Sequence, residues 1–217
     1  MNSGQDKLFY NVLDSSRVII LDKLSNFKDD FYLAGGTALA LQIGHRVSVD
    51  FDFFTAKEFD NTSLLKKVEQ VFVNKSILVI QNEVDTFTVL LNDEIKISFF
   101  KLKYKNLIPL IETENFKLAE IKEIGIMKLL ALFRATYKDY VDLYYILNLV
   151  GLEELLFLAE KKHPEFEKTI YIKALLSFDD VDDMPIQYLK GFKVKRENVF
   201  LAIEKKTIEY IKNNTYK

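Results

Sequence analysis

The stretch LAGGTALALQIGHRVSVDFDFF, residues 33–54, decides the fold of this 217-residue chain. It begins inside a short apolar run, 31–34, that stops at two glycines and is typical of a buried strand entering a tight turn. Residues 37–43 then predict a short helix, and Gly44 stands where a glycine commonly ends one. Residues 47–54 alternate and are rich in β-branched and aromatic side chains, which predicts a second strand.

The residues on either side of this stretch predict further elements. Apolar residues at helical spacing over 8–24 predict an opening amphipathic helix, and 64–73 predicts another. Three β-prone runs follow at 77–81, 87–91 and 94–100, with the Asn92-Asp93 pair as a hairpin turn between the last two.

From about residue 121 the pattern is helical for most of the chain, with interruptions at Gly151, Pro164 and 179–185. Strands and helices that alternate first and helices alone afterwards predict an α+β fold, in which a mixed sheet is followed by a helical half. We therefore expect two domains, 1–120 and 121–217.

Composition narrows the chemistry. The chain has no cysteine and 2 histidines, which excludes thiolate chemistry and leaves too few nitrogen ligands for a typical zinc site. A net charge of −2 provides no overall basic field for nucleic acid, so an RNA contact has to be a local patch. The N-terminus lacks the order of a secretory signal, and no segment approaches the roughly 20 apolar residues of a membrane helix. We expect a cytoplasmic protein.

Two acids, Asp50 and Asp52, lie two positions apart on the predicted strand. Both carboxylates then leave one face, while Phe51 and Phe53 point to the other. Magnesium prefers oxygen ligands, binds one or two carboxylates and completes its shell with phosphate oxygens and water. The pattern predicts a magnesium site; the simpler alternative is that the acids cap or line a solvent-exposed strand.

Gly35 and Gly36 separate the buried strand from the helix, so backbone amides can approach an anion without an intervening side chain. This predicts a phosphate site, with an ordinary turn as the alternative. Thr37 could add a hydroxyl to the same phosphate, or serve only to start the helix. Arg46 could clamp a triphosphate, or only place a cation near the helix C-terminus.

The sequence resembles the nucleotidyltransferase signature of the AbiEii/AbiGii toxin family at Gly35, Gly36, Thr37, Arg46, Ser48 and the run Asp50-Phe51-Asp52-Phe53-Phe54. That family is associated with type IV toxin-antitoxin and phage-abortive systems and shares the polymerase-β-like nucleotidyltransferase fold. The resemblance implies a nucleotidyltransferase core over 1–120. It also implies that the two aspartates bind magnesium and that the glycines, Thr37, Arg46 and Ser48 bind the nucleotide.

The resemblance reappears in IMKLLALFRATYKDYVDLYYIL, residues 126–147. There it implies a catalytic lysine, Lys128, and a later acid in the segment KDYVDL, which contains Asp139 and Asp142. If 128–147 were one helix, both acids would return to within roughly 40° of the lysine. A lysine facing acids is also the ordinary pattern of a salt-bridged helix surface.

Members of the superfamily usually carry a third carboxylate on a later strand, and the matching strand here is EIKISFF, 94–100. Its inward face would carry Lys96 and Ser98, with Glu94 at its start, so no acid stands where one is expected. Asp139 is an alternative source of the third ligand or of the general base. Another alternative is that a two-metal arrangement is reduced to one magnesium ion.

The proposed reaction is attack by an acceptor hydroxyl, or alternatively a phosphate, on the α-phosphorus of a nucleoside triphosphate, with pyrophosphate leaving. Asp50 and Asp52 would bind magnesium, Lys128 would neutralise developing charge, and Asp139 would activate the acceptor. The resemblance also implies a growth-inhibiting toxin, an antitoxin partner and an RNA acceptor such as tRNA. Two other interpretations stay open: the acceptor is a protein or small molecule, or the chain is a nucleotide-binding or partner-binding module without turnover.

Overall fold

The computed structural model describes residues 8–214, and the chain divides into two compact units, Met1–Glu120 and Ile121–Lys217. Residues 1–7, on which part of the expectation about a secretory signal rests, lie outside the described residues. All strands of the described chain belong to the first unit, and the second unit is helical. A mixed sheet together with helices confirms the predicted α+β class.

The first unit is built on a seven-stranded mixed sheet with the order β3-β4-β5-β2-β1-β7-β6. Its helices are α1 (Ser15–Lys23), α2 (Gly35–Ile43) and α3 (Asn61–Val71). Its strands are β1 (Tyr32–Ala34), β2 (Phe51–Thr55), β3 (Ile77–Glu83), β4 (Thr86–Leu91), β5 (Ile95–Lys101), β6 (Ile111–Glu112) and β7 (Lys117–Leu118). Strand β2 is central, antiparallel to β1 and parallel to β5, so ladders on both sides fix the position of its residues.

Phenylalanines bury one face of this sheet. Phe51 and Phe53 alternate along β2 and are 0% and 1% exposed. Phe53 stacks on Phe99 of β5, with ring centroids 5.5 Å apart, and Phe27 packs against both rings. Because successive side chains of a strand leave opposite faces, this burial directs Asp52 to the other face of the sheet.

The strand predicted over 47–54 begins only at Phe51, so its first four residues were wrongly assigned. The backbone of residues 47–50 forms hydrogen bonds with groups that are not part of a neighbouring strand. The Ser48 N–H donates to the carbonyl of Val12 at 3.2 Å, and the carbonyl of Val49 accepts from the Arg17 guanidinium at 2.8 Å. These long-range bonds hold 47–50 as a loop.

The single helix predicted over 8–24 was also wrong. A short 3-10 turn at Tyr10–Val12 precedes α1, and Asp14 caps α1 by accepting from the Arg17 N–H at 2.9 Å. An aspartate in this position satisfies a backbone donor that has no partner inside the helix, which fixes where the helix starts.

The predicted helix end at Gly44 and the predicted hairpin turn at Asn92-Asp93 are confirmed. Gly44 adopts φ 75° after the end of α2, and its N–H donates to the carbonyl of Ala40 at 2.7 Å. Asn92 and Asp93 both have positive φ, 49° and 57°, between β4 and β5. Left-handed residues of this kind match the twist of a tight hairpin.

The second unit consists of α4 (Ile121–Leu130), α5 (Tyr137–Leu149), α6 (Leu152–Lys162), α7 (Lys168–Ala174) and α8 (Arg196–Asn214). Residues 128–147 are not one helix, because a 3-10 turn at Leu132–Arg134 and a left-handed Ala135, φ 49°, separate α4 from α5. The angular count along a single helix therefore does not apply. Within residues 8–214, no helix combines the length and the apolar character needed to cross a membrane.

Candidate active site

The glycine turn opens α2 directly beside an acid. Gly35 is the first residue of the helix and has φ 68°, a backbone conformation that side chains disfavour. The preceding residue, Ala34, makes no side-chain cap bond, so no side chain of the cap residue occupies the helix N-terminus. A Cβ on Gly35 would lie 3.0 Å from Oδ2 of Asp52. The missing side chain thus lets the Asp52 carboxylate lie close to the start of α2.

The second glycine makes room for an arginine. A Cβ on Gly36 would lie 2.4 Å from Nη2 of Arg46 and 3.6 Å from Oγ of Ser48. The Arg46 side chain is buried, and its Nη1 donates to the carbonyl of Val47 at 3.0 Å. A guanidinium therefore lies against the glycine turn, where the dipole of α2 also favours negative charge.

The Thr37 hydroxyl is engaged within the protein. It lies 2.7 Å from Oγ of Ser48 and donates a short hydrogen bond to the carbonyl of Asp50. Its single proton is therefore used on the loop that precedes β2. Thr37 and Ser48, both buried, tie the start of α2 to the backbone that carries the first acid.

The two acids stand at the start of the central strand. Asp50 immediately precedes β2, and Asp52 lies within it, paired with Ala34 of β1 and Ser98 of β5. Both side chains are partly exposed. Nζ of Lys96, from β5, lies 3.2 Å from Oδ2 of Asp50. One face of the sheet thus combines two carboxylates, an ammonium and a hydroxyl.

Arg17 contributes to this site and was not identified from the sequence. Its buried guanidinium donates to the carbonyl of Val49 and pairs with Asp14 and, at 3.3 Å, with Glu94. It therefore connects α1 with the residues preceding β2 and β5. Burial opposes ionisation of Asp14, but hydrogen bonds from Ser16 and the Arg17 backbone and side chain outweigh it and lower the pKa of Asp14 to about 2. Nothing in the sequence around Arg17 distinguishes it from a surface charge of an amphipathic helix.

The two carboxylates on this face fit magnesium better than a metal that is bound entirely by protein side chains. No group of three or more His, Cys, Asp or Glu residues that could hold a metal occurs in the described part of the chain. Asp50 and Asp52 supply two carboxylates near a glycine turn at a helix N-terminus, where backbone amides favour phosphates. Magnesium is bound in this way, through one or two carboxylates together with substrate phosphates and water.

A second charged cluster lies in the helical unit. Nζ of Lys128, on α4, lies 2.6 Å from both Oδ1 of Asp139 and Oδ2 of Asp142, on α5. Oδ2 of Asp139 also accepts from Arg134 at 3.0 Å and Thr136 at 2.7 Å. Lys128 and the two aspartates are buried, whereas Arg134 is exposed. The residues singled out in 126–147 therefore meet, although the two helices are separated by a turn.

The mixed sheet and the glycine turn followed by an acidic strand have the order that the resemblance to nucleotidyltransferases implies. The family model for the nucleotidyl transferase AbiEii toxin, type IV TA system, matches residues 19–197. The chain belongs to this family and is an enzyme of the nucleotidyltransferase class. Membership implies a nucleoside triphosphate substrate and a type IV antitoxin partner.

Individual proteins show the same relationship. The chain is 34% identical over 196 residues to the uncharacterized protein aq_aa25 of Aquifex aeolicus (strain VF5), covering 85% of this chain and 90% of the relative. It is similar to the "putative nucleotidyltransferase from H. pylori", with a TM-score of 0.60 at 21% identity, covering 98% and 97% of the two chains. For JHP933 from Helicobacter pylori the TM-score is 0.59 at 20% identity, with coverage of 94% and 97%. At these identities the two solved structures establish the fold.

Proposed function

We propose that this chain is a magnesium-dependent nucleotidyltransferase that transfers a nucleotidyl group from a nucleoside triphosphate to RNA, such as tRNA. We further propose that it acts as the toxin of a toxin-antitoxin or phage-defence pair. One observation carries the catalytic proposal: the Gly35-Gly36 turn at the start of α2 lies against the Asp52 carboxylate. An anion site next to a cation site is what a metal-bound triphosphate requires.

The phosphates would be held by the backbone amides of Gly35 and Gly36 and by the guanidinium of Arg46. The positive φ of Gly35 and the close approach of Arg46 to Gly36 support this role, since a side chain at either glycine would enter the same space. Thr37 and Ser48 complete the site by fixing the loop that carries Asp50, because their hydroxyls bond to each other and the Thr37 hydroxyl donates to the Asp50 carbonyl.

Asp50 and Asp52 would hold the magnesium ion. When bound, the ion neutralises phosphate charge and orients the triphosphate for in-line attack. An acceptor hydroxyl attacks the α-phosphorus, the bond from that phosphorus to the bridging oxygen breaks, and pyrophosphate leaves. The hydroxyl proton passes to a base. The protein contributes mainly by positioning the substrate and by neutralising charge.

Lys128 would neutralise charge in the transition state, and Asp139 would accept the acceptor proton or supply a further ligand. Lys128 is held by two carboxylates, so its ammonium has a defined position. Asp139 already accepts from three donors, which leaves one of the roughly four acceptor positions of a carboxylate for a proton. The exposed Arg134 is the partner with the most freedom to move and open a further position.

The biological assignment is supported by the family description, which names a toxin of a type IV system. An RNA acceptor has to bind locally, because the net charge of −2 excludes a general attraction to nucleic acid. Nucleoside triphosphates and tRNA are cytoplasmic, and we place the protein there.

The test is transfer of label from each of the four α-³²P nucleoside triphosphates in the presence of magnesium and total cellular RNA. We expect labelled RNA with the wild type and a loss of at least about 100-fold in Asp50→Asn and Asp52→Asn, the scale of losing a main electrostatic contact. The matched control is Asp30→Asn, which removes another half-exposed, lysine-paired aspartate of the same unit. It should retain activity.

Retained transfer in both site variants would contradict the metal-binding role. If label appeared in protein or in small molecules and not in RNA, the acceptor would be one of those molecules and not RNA. Magnesium-dependent triphosphate binding without any product, measured by calorimetry, would instead identify a nucleotide-binding module without turnover.

A further inference from the structure

The strand next to the two acids brings a lysine into the metal-binding face. Strand β5 runs parallel to β2, with Phe51 opposite Ile97 and Asp52 opposite Ser98. The residues that precede Phe51 and Ile97 are also close, because the Lys96 ammonium lies 3.2 Å from the Asp50 carboxylate. Ile97 points into the buried core. Alternation therefore keeps Lys96 on the face that carries the acids.

We propose that Lys96 is an internal counter-ion of this face, which restricts Asp50 and Asp52 to one divalent cation. The ammonium pairs with Asp50 in the absence of metal, and the incoming cation displaces it. This inference rests on the proposed metal-binding role of the two aspartates. It adds that they bind one ion and that Lys96 sets this number.

The charges of this face explain the limit. The two carboxylates, the Lys96 ammonium and the Arg46 guanidinium beside the glycine turn sum to 0, so a single divalent cation changes the sum to +2. A second divalent cation would raise it to +4 beside the ammonium. Repulsion from a unit charge about 4 Å away weakens binding of a divalent ion by at least about tenfold, even with the screening of bulk water. Ser98, opposite Asp52, adds no charge to offset it.

The test is Mn²⁺ binding to the full-length protein, followed by electron paramagnetic resonance with and without a non-hydrolysable nucleoside triphosphate. Ions that disappear in Asp52→Asn are counted as site ions. We expect one site ion in the wild type. Lys96→Met should bind it at least about tenfold more tightly without nucleotide, because the repelling charge is removed and Asp50 loses its competing partner. Lys96→Glu should bind a second site ion.

Lys67→Met is a closely matched control. Its ammonium lies 3.3 Å from Asp30, and its side chain is 39% exposed, against 3.2 Å and 40% for Lys96. The same charge is removed from the same unit without touching Asp50. Its Mn²⁺ affinity should equal that of the wild type, and thermal unfolding of each variant checks that it is folded.

Three results would overturn the inference. Two site ions in the wild type, or an affinity of Lys96→Met within twofold of Lys67→Met, would do so while leaving the metal-binding aspartates in place. A wild-type Mn²⁺ affinity in Asp52→Asn would overturn the proposed metal site as well. The two proposals therefore fail in distinguishable ways.

Discussion

The two charged clusters of this chain, one in each unit, are built in opposite ways. The Asp50 and Lys96 side chains are 36% and 40% exposed, and Asp52 lies beside a turn without side chains. The Lys128, Asp139 and Asp142 side chains are 8%, 7% and 0% exposed and are paired with one another. The first cluster can exchange its partners for a ligand, whereas two buried carboxylates hold the ammonium of the second in place. Partial exposure therefore distinguishes a site for a cation from a buried network.

The largest difference between the clusters should appear in stability. Lys128→Met removes the ammonium that contacts two buried carboxylates, and we expect a loss of about 3–5 kcal/mol in the free energy of unfolding. Asp50→Asn breaks a half-exposed ion pair and should change it by less than about 1 kcal/mol. Urea unfolding followed by circular dichroism measures both. Equal stabilities of the two variants would remove the distinction drawn between the clusters.

Substitution of two glycines with positive φ distinguishes the effect of backbone strain on stability from an effect on catalysis at the site. Gly35→Ala and Gly191→Ala place a side chain at φ 68° and 91°, and each should lose about 1–2 kcal/mol of stability. Only the first adds a Cβ against Asp52, whereas nothing lies within 4 Å of the second. Nucleotidyl transfer, measured at a temperature where both variants are folded, should fall at least about tenfold in Gly35→Ala alone. A comparable fall in Gly191→Ala would mean that general destabilisation is the cause.

The smallest expected effect is the change in stability on substitution of Asp14, which forms an ion pair with Arg17. The pKa of Asp14 is lowered from 3.8 to about 2, so its stabilising contribution is complete above pH 4 and is lost as the pH falls through about 2. Because the side chain is half exposed, we expect about 1 kcal/mol in favour of the wild type over Asp14→Asn at pH 5. The difference should shrink toward pH 2 in urea titrations. Equal stabilities of the two proteins at pH 5 would assign the stabilisation to helix capping alone, since asparagine also caps helices.

Much of the first unit follows from sequence because its signals are local. The glycine turn, the Gly44 cap and the alternation of acids with Phe51 and Phe53 each depend on neighbours in the chain, and the structure contains all three. The late start of β2 could not be predicted in this way. It depends on bonds from Val12 and Arg17, residues more than thirty positions away, which replace the ladder over 47–50.

The contacts of the two clusters could be predicted from the sequence only in part. Lys96 was placed on the acidic face by alternation alone, but its pairing with Asp50 depends on the parallel register of β5 and β2. Lys128 meets Asp139 and Asp142 across two helices, not along one, because Ala135 takes a left-handed conformation that no local pattern indicates. The two-residue strands β6 and β7 are too short to produce an alternating signal.

The central claim is that Asp50 and Asp52 share one divalent cation beside the Gly35-Gly36 turn. Crystals soaked with Mn²⁺ and a non-hydrolysable nucleoside triphosphate, with an anomalous difference map, test it most directly. The account predicts one Mn²⁺ within about 2.3 Å of an oxygen from each aspartate, with phosphate oxygens at the amides of the two glycines. A triphosphate bound elsewhere, or a metal ion that contacts neither aspartate, would contradict it.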